Sequence, residues 1–200
     1  MTRDVLTVDL GAQTWRREPL EPALLRETLG GTGLAVALLE RLIAAPVDPL
    51  GPENALVFAA GPFAGTPVPA ATKHAVATIS PLTGRLSDGL SSSHWSAALA
   101  GLGLAALVLR GSAANWTSLA IDSDGVRFLD AAPLLGTSAA ETARTLQREL
   151  GAKDWRSAAL GVAGENGVRF ASIENDGRQA GRGGPGAVMG AKCLKAIALR

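Results

Sequence analysis

Near its carboxyl end the chain reads Glu174 to Leu199, with Arg178 and Arg182 and four glycines, Gly181, Gly183, Gly184 and Gly186, set directly before a short apolar segment with helical character. This order is the strongest local constraint in the sequence. Glycine lets a backbone take left-handed turns and approach a neighbour closely, the first turn of a helix carries unpaired N–H groups, and arginine adds fixed charge. Such a stretch suits an anion. A sharp turn with two solvated arginines fits the same residues, so the stretch alone leaves both readings open.

Two hundred residues fill one ordinary domain or two small ones, and 47% hydrophobic content is ample for a packed core. A net charge of +1 with interleaved acids and bases gives no electrostatic footprint for nucleic acid or an anionic membrane, so neither partner is expected. The lone cysteine, Cys193, excludes an internal disulfide and any iron–sulfur cluster or cysteine-rich zinc site held by this chain alone. A cytoplasmic setting is expected, and the charged start MTRDVLTVDLG has no signal-peptide pattern. The longest apolar run, Ser96 to Leu109, is broken by Gly101 and Gly103 and falls short of the roughly 20 residues of a membrane span.

Alternation over Val5 to Leu10 predicts a strand that Gly11 turns into a hairpin. Helical spacing covers Pro22 to Leu29 and Gly33 to Ala44 around a Gly30-Gly31-Thr32 corner, and Ala55 to Ala60 reads as a buried strand. Strands are expected at Lys73 to Ile79, Ala105 to Leu109, Trp116 to Ile121, Gly125 to Phe128, Ala158 to Val162 and Val168 to Ile173. Ser87 to His94 reads as a polar tract, Trp95 to Gly101 as a short helix, and Ser138 with Glu141 as the capping start of a helix to Leu150. Short strands interleaved with helices, without a regular strand–helix repeat, indicate an α+β or mixed α/β architecture. A faint symmetry pairs Gly30 to Gly33 with Gly183 to Gly186, and Ala55 to Pro62 with Ala158 to Glu165, which points to an internal duplication.

Gly181 to Gly186 satisfies the GxGxxG spacing of dinucleotide sites, yet the chain ends before the acid that such a site needs about 20 residues later. No Walker A lysine, HExxH or GxSxG pattern is present, and His74 and His94 lie far from any paired carboxylate. His94 follows Ser91, Ser92 and Ser93, but no orienting acid accompanies them, so this tract reads as a polar loop.

Four separated motifs stand in register: DPLGPENALVFAAGPFAGTPVP at Asp48 to Pro69, SPLTG at Ser80 to Gly84, VAGENGVRFASIENDG at Val162 to Gly177, and AGRGGPGAVMGAKCLKAI at Ala180 to Ile197. In order and spacing they resemble the N-terminal domain of the tungsten-containing aldehyde ferredoxin oxidoreductases, over essentially residues 1–200. The resemblance implies a single duplicated, mixed-sheet α+β domain forming a saddle for a tungsten (or molybdenum) bis-molybdopterin cofactor. It carries cofactor contacts onto Arg178, Arg182, Gly183, Gly184 and Gly186. Lys73 stands where the family's Gly-Gly-Arg has arginine, keeping charge without the planar fork. Leu90-Ser91-Ser92-Ser93 stands where the family has a pattern like Asn-Ser-Gly-Gly, and Gly31-Thr32-Gly33 replaces Gly-Arg-Gly.

The family's cluster cysteines and substrate groups belong to later domains, so this chain is expected to carry no catalytic residue and no iron–sulfur cluster. The resemblance leaves three functions: the cofactor-binding part of an aldehyde-oxidising enzyme, a non-catalytic carrier or assembly protein for the same cofactor, and a degenerate scaffold that binds protein. An open apolar face is expected where the later domains pack, with a second polypeptide or a homo-oligomer covering it.

Overall fold

The computed structural model describes residues 3–43 and 46–200; Ala44, where the sequence pattern ends the second helix, lies outside the described residues. The described residues form twelve strands: β1 Asp4–Asp9, β2 Thr14–Pro19, β3 Leu56–Ala60, β4 Lys73–Ile79, β5 Leu86–Ser92, β6 Leu104–Arg110, β7 Thr117–Asp122, β8 Gly125–Asp130, β9 Arg156–Ala159, β10 Ile173–Asn175, β11 Arg178–Ala180 and β12 Leu194–Leu199. Between them run α1 Pro22–Thr28, α2 Gly31–Leu42, α3 His94–Gly101, α4 Ala139–Glu149, α5 Val162–Glu165 and α6 Pro185–Ala191, with a 3-10 turn at Ala132–Leu134.

The strands build two six-stranded sheets, ordered β2-β1-β6-β3-β4-β5 and β11-β10-β9-β12-β7-β8. Read from opposite ends, the two orders are identical when each strand of the first sheet is matched to the strand six places later. Directions agree as well. The parallel pair β1–β6 matches β7–β12, and every other neighbour is antiparallel in both sheets. Finer details recur: the register slips at the start of β6 and of β12, and the residue before each, Gly103 and Cys193, adopts positive φ (75° and 52°). The expected duplication is present as topology. Its glycine pairing is corrected, because the helix that leads into the last strand is α3 in one half and α6 in the other. Gly184 therefore corresponds to Ser93, and Gly30 has no such partner. The match of Ala55 to Pro62 with Ala158 to Glu165 falls on β3 and β9.

One core lies between the sheets and includes Leu6, Phe58, Val76, Trp95, Leu119, Val188, Met189 and Ile197. Here α3 and α6 pack against strands of both sheets, and the Trp95 indole N–H donates to the Ile197 carbonyl (3.2 Å). The outer face of the first sheet is covered by α1 and α2 through Leu24, Leu34 and Leu39, and that of the second by α4 through Leu146. Ser138 and Glu141 close the predicted capping box of α4.

Three local expectations are corrected. Ser87 to His94 is mostly strand, since β5 pairs with β4 over its whole length. Val168 to Ile173 is a turn until Ile173, and the second half instead places a hairpin at Asn175-Asp176-Gly177-Arg178. The apolar segment after Gly186 is a short helix followed by the buried strand β12, not one helix.

Candidate functional site

Three of the four sequence motifs, those at Ser80 to Gly84, Val162 to Gly177 and Ala180 to Ile197, meet where the edge strands β5 and β11 of the two sheets pack beside each other. Alternate side chains of a strand face opposite ways. On β5 the inner face carries Ser87, Gly89 and Ser91, and the outer face carries Asp88, Leu90 and Ser92.

The inner face is consumed by contact between the halves. A Cβ on Gly183 would stand 1.9 Å from the Ser87 hydroxyl, and one on Gly89 would stand 3.5 Å from the Arg182 carbonyl oxygen. Gly184 has φ 71°, and a Cβ there would lie 1.9 Å from the Arg169 carbonyl oxygen. Gly186 is pressed against Ala171 and Ser172 and donates its N–H to the Ala171 carbonyl (2.9 Å). These glycines are required by the chain's own packing. Ser91 is buried and donates to the Asn175 side-chain oxygen (2.9 Å), and Ser93 caps α3 by accepting from the Trp95 N–H (3.2 Å). The same N–H also donates to Asp176 (3.0 Å), so the hairpin of the second half seats on the start of α3.

The remaining predicted residues stay open. Lys73 and Ser92 are cross-strand partners on the outer face, with Lys73 exposed and Ser92 half-buried. Leu90 is 54% exposed beside them. Arg178 and Arg182 are exposed on the second half, Arg178 opposite Asn175 in the β10–β11 hairpin and Arg182 in the loop that crosses Gly89. Among the described residues none of these three cations has a carboxylate within ion-pair distance. The seam thus gathers unpaired positive charge from β4, β11 and the loop before α6.

Several residues of this seam fall outside the cofactor contacts that the resemblance implies. Thr32 donates to Asp88 (3.0 Å), tying the Gly-rich corner of α2 to β5. Asn175 and Asp176 anchor the hairpin; their Asn-Asp-Gly order is a turn signal that was available in the sequence. His74 is fully buried in the first sheet, its ring 5.0 Å from that of Trp95 and 6.4 Å from that of Phe58. Burial lowers its pKa to about 4, which keeps the imidazole neutral.

The chain matches the model of the family described as aldehyde ferredoxin oxidoreductase, N-terminal domain, over residues 5–200. It belongs to that family. It is 41% identical over 195 residues to the tungsten-containing aldehyde ferredoxin oxidoreductase of Pyrococcus furiosus, which covers 97% of this chain and 32% of the relative. Identity is 40% over 195 residues to the enzyme of the same name from Thermococcus kodakarensis, and 32% over 209 residues to the aliphatic sulfonate oxidoreductase, WOR-like subunit, of Pyrococcus furiosus. Among solved structures it resembles the active site complex BamBC of benzoyl coenzyme A reductase in complex with 1,5 dienoyl-CoA. The TM-score is 0.96 at 38% identity, covering 98% of this chain and 30% of that one. The chain therefore spans about a third of the length of the curated relatives it matches.

The residues of this aldehyde ferredoxin oxidoreductase N-terminal domain fit a phosphate-bearing pterin group in one way and not in another. The glycine loop is already filled by Ser87 and by the Arg169 carbonyl, so it offers no cradle underneath. Lys73, Arg178 and Arg182 are free to meet anionic oxygens from outside, a charge-assisted contact being worth roughly 1.5–3 kcal/mol. No cluster of three or more metal-ligating side chains occurs among the described residues.

Proposed function

We propose that this chain is the cofactor-holding part of an aldehyde-oxidising tungsten or molybdenum enzyme of the aldehyde ferredoxin oxidoreductase type, with a bis-molybdopterin group lying along the β5–β11 seam. The observation that carries this is the set of exposed, unpaired cations, Lys73, Arg178 and Arg182, brought to one seam from both halves of the fold. When bound, such a group supplies two-electron oxidation chemistry at its metal. The chain's own residues position it. Arg178 and Arg182 present guanidinium forks to phosphate oxygens, Lys73 adds a point charge at the end of β4, and Ser92 offers a hydroxyl beside it. Leu90, Leu86 and Asp88 set the outer wall on β5, with Asp88 held in place by Thr32.

Catalytic groups and an iron–sulfur cluster belong, in this reading, to a further domain or polypeptide. The relatives are about three times as long as this chain. Apolar side chains also lie open: Leu86 (39% exposed) and Leu90 (54%) share the outer face of β5, and Leu82 (56%) and Phe170 (70%) stand in nearby turns of the sequence motifs. A partner with a complementary apolar surface would cover them. A protein-binding scaffold without cofactor is the second reading, favoured by Leu90 occupying the position where the family's pattern has asparagine.

The test is metal analysis together with the fluorescence of oxidised pterin released from protein made with its partner in tungstate- or molybdate-supplied cells. Stoichiometric metal and pterin in the wild type, and a loss of at least about tenfold in an Arg178→Ala, Arg182→Ala variant, are expected if each contact contributes as above. Wild-type protein free of both metal and pterin overturns the cofactor reading and leaves the scaffold.

A further inference from the structure

Three buried polar atoms at the boundary between the halves have no partner: Nδ1 and Nε2 of His74, and Nδ2 of Asn175. They belong to one cluster. His74 on β4 and Ser91 on β5 are direct cross-strand partners on the inner face, and Ser91 is bonded to Asn175 on β10. All three residues are at most 5% exposed. Turning the Asn175 amide over only moves the deficit, because one of its two polar atoms then faces Ser91 and the other stays unsatisfied. The neutral imidazole likewise carries one donor and one acceptor, and no protein atom meets either. Buried polar groups in folded proteins are matched by protein or by ordered water, and a water is retained where two or more polar atoms converge.

We infer that a single ordered water sits between His74 and Asn175, completing a His74–water–Asn175–Ser91 bridge that joins the two halves beneath the seam. Water is the fitting ligand because it both donates and accepts. It gives a hydrogen to the bare imidazole nitrogen and takes one from the Asn175 amide, so it meets two of the three atoms; the imidazole N–H stays without a hydrogen-bond partner. The bridge lies one residue below the open face: His74 adjoins Lys73, Ser91 adjoins Ser92, and Asn175 is the cross-strand partner of Arg178. It therefore fixes the relative position of the strands that carry the exposed cations. This inference stands without the cofactor reading, since it concerns the ligand-free chain.

The experiment is a high-resolution crystal structure of the whole chain, paired with water-to-side-chain cross-relaxation in solution for wild type and Asn175→Leu. Expected are one density peak within hydrogen-bonding distance of a His74 ring nitrogen and the Asn175 amide, a water cross-peak to the His74 ring, and loss of both in the variant. Amide exchange at Trp95, whose N–H is held by Asp176 next to Asn175, should quicken about tenfold in the variant, as for the loss of one net hydrogen bond, while β6 amides keep their protection. A dry gap in the wild type, or His74 nitrogens bonded to protein atoms, overturns the inference. If Asn175→Leu does not fold, His74→Phe removes the other partner of the water, and it is read by loss of the density peak and by faster Trp95 amide exchange.

Discussion

His74 makes the stability of this fold acid-sensitive in a calculable way. Its imidazole packs beside Trp95, which in turn contacts Phe58; it is fully buried, and desolvation lowers its pKa from 6.5 to about 4. The shift is downward in the folded state, so the unfolded chain takes up the proton first. Stability is complete above pH 6.5, declines as pH falls, and stops changing below about 4, where both states are protonated. The whole shift amounts to about 3 kcal/mol, of which about 2 kcal/mol is lost between pH 7 and pH 5. Replacing His74 with phenylalanine removes this dependence and keeps an aromatic ring in the site. The assay is urea unfolding of both proteins at pH 7 and pH 5, read as the change in their stability difference, which cancels the titration of the surface carboxylates. Wild type should lose about 2 kcal/mol more than His74→Phe over this range. Overpacking by the larger ring shifts the variant equally at both pH values and leaves this comparison intact. Equal losses in the two proteins would refute the account of His74 as a group that burial keeps neutral.

Three further outcomes are expected. Gly184→Ala should destabilise by more than about 2 kcal/mol, because positive φ alone costs an alanine about 1–2 kcal/mol and the Arg169 carbonyl cannot move aside; Gly183→Ala should cost less and be partly rescued by Ser87→Ala, which chemical denaturation of the double variant would show. Lys195, at the bulge of β12, is fully buried, bonded to the Thr137 and Leu160 carbonyls and paired with Glu165, so Glu165→Ala should cost roughly 3–5 kcal/mol in the same assay by stranding the ammonium. Burial lowers the Lys192 pKa from 10.5 to about 8 while its ammonium holds the Pro52 and Gly111 carbonyls; the folded state gives up this proton first, so stability should rise from pH 8 toward 10.5 by up to about 3 kcal/mol in wild type and not in Lys192→Met.

Where structure is determined locally, the residues announce it. The α4 capping box needs only Ser138 and Glu141, and the β7–β8 hairpin only its Ser-Asp-Gly turn; both were legible. Strand β5 was not, because Leu86-Ser87-Asp88-Gly89-Leu90-Ser91-Ser92 has few strand-forming residues. Pairing along all of β4 and contact with the other half make it a strand, and neither leaves a local pattern. The duplication was half visible for a similar reason. Glycine before a helix looks alike at Gly30 and Gly184, yet Gly30 is needed against the Ala60 carbonyl and Gly184 against that of Arg169. Of the site, the cations were readable as charge, whereas the burial of Ser91 and Ser93 depends on Asn175 and Asp176, more than eighty residues away in sequence.

The reciprocal docking of the halves decides which groups can recognise a ligand. The helices α3 and α6 hold equivalent places, and the start of each is occupied by the opposite half. At α3 the Trp95 N–H is taken by Asp176 and Ser93, and a carboxylate already stands where an anion would bind. At α6 the approach is closed by Ser87 over Gly183 and by Pro81 and the Arg169 carbonyl over Gly184. Neither helix start is therefore free to hold a phosphate, although the glycine and arginine run first suggests that it should be. On the proposed reading, recognition falls to exposed side chains along the open side of the seam, and these come from both halves: Lys73 from one, Arg178 and Arg182 from the other. Glycine-loop substitutions should consequently act through unfolding, and cation substitutions should act on ligand retention with the unfolding midpoint nearly unchanged. Measuring both quantities on Gly184→Ala and Arg182→Ala separates the two modes. A stable Gly184→Ala protein that had lost ligand would return the site to the helix start.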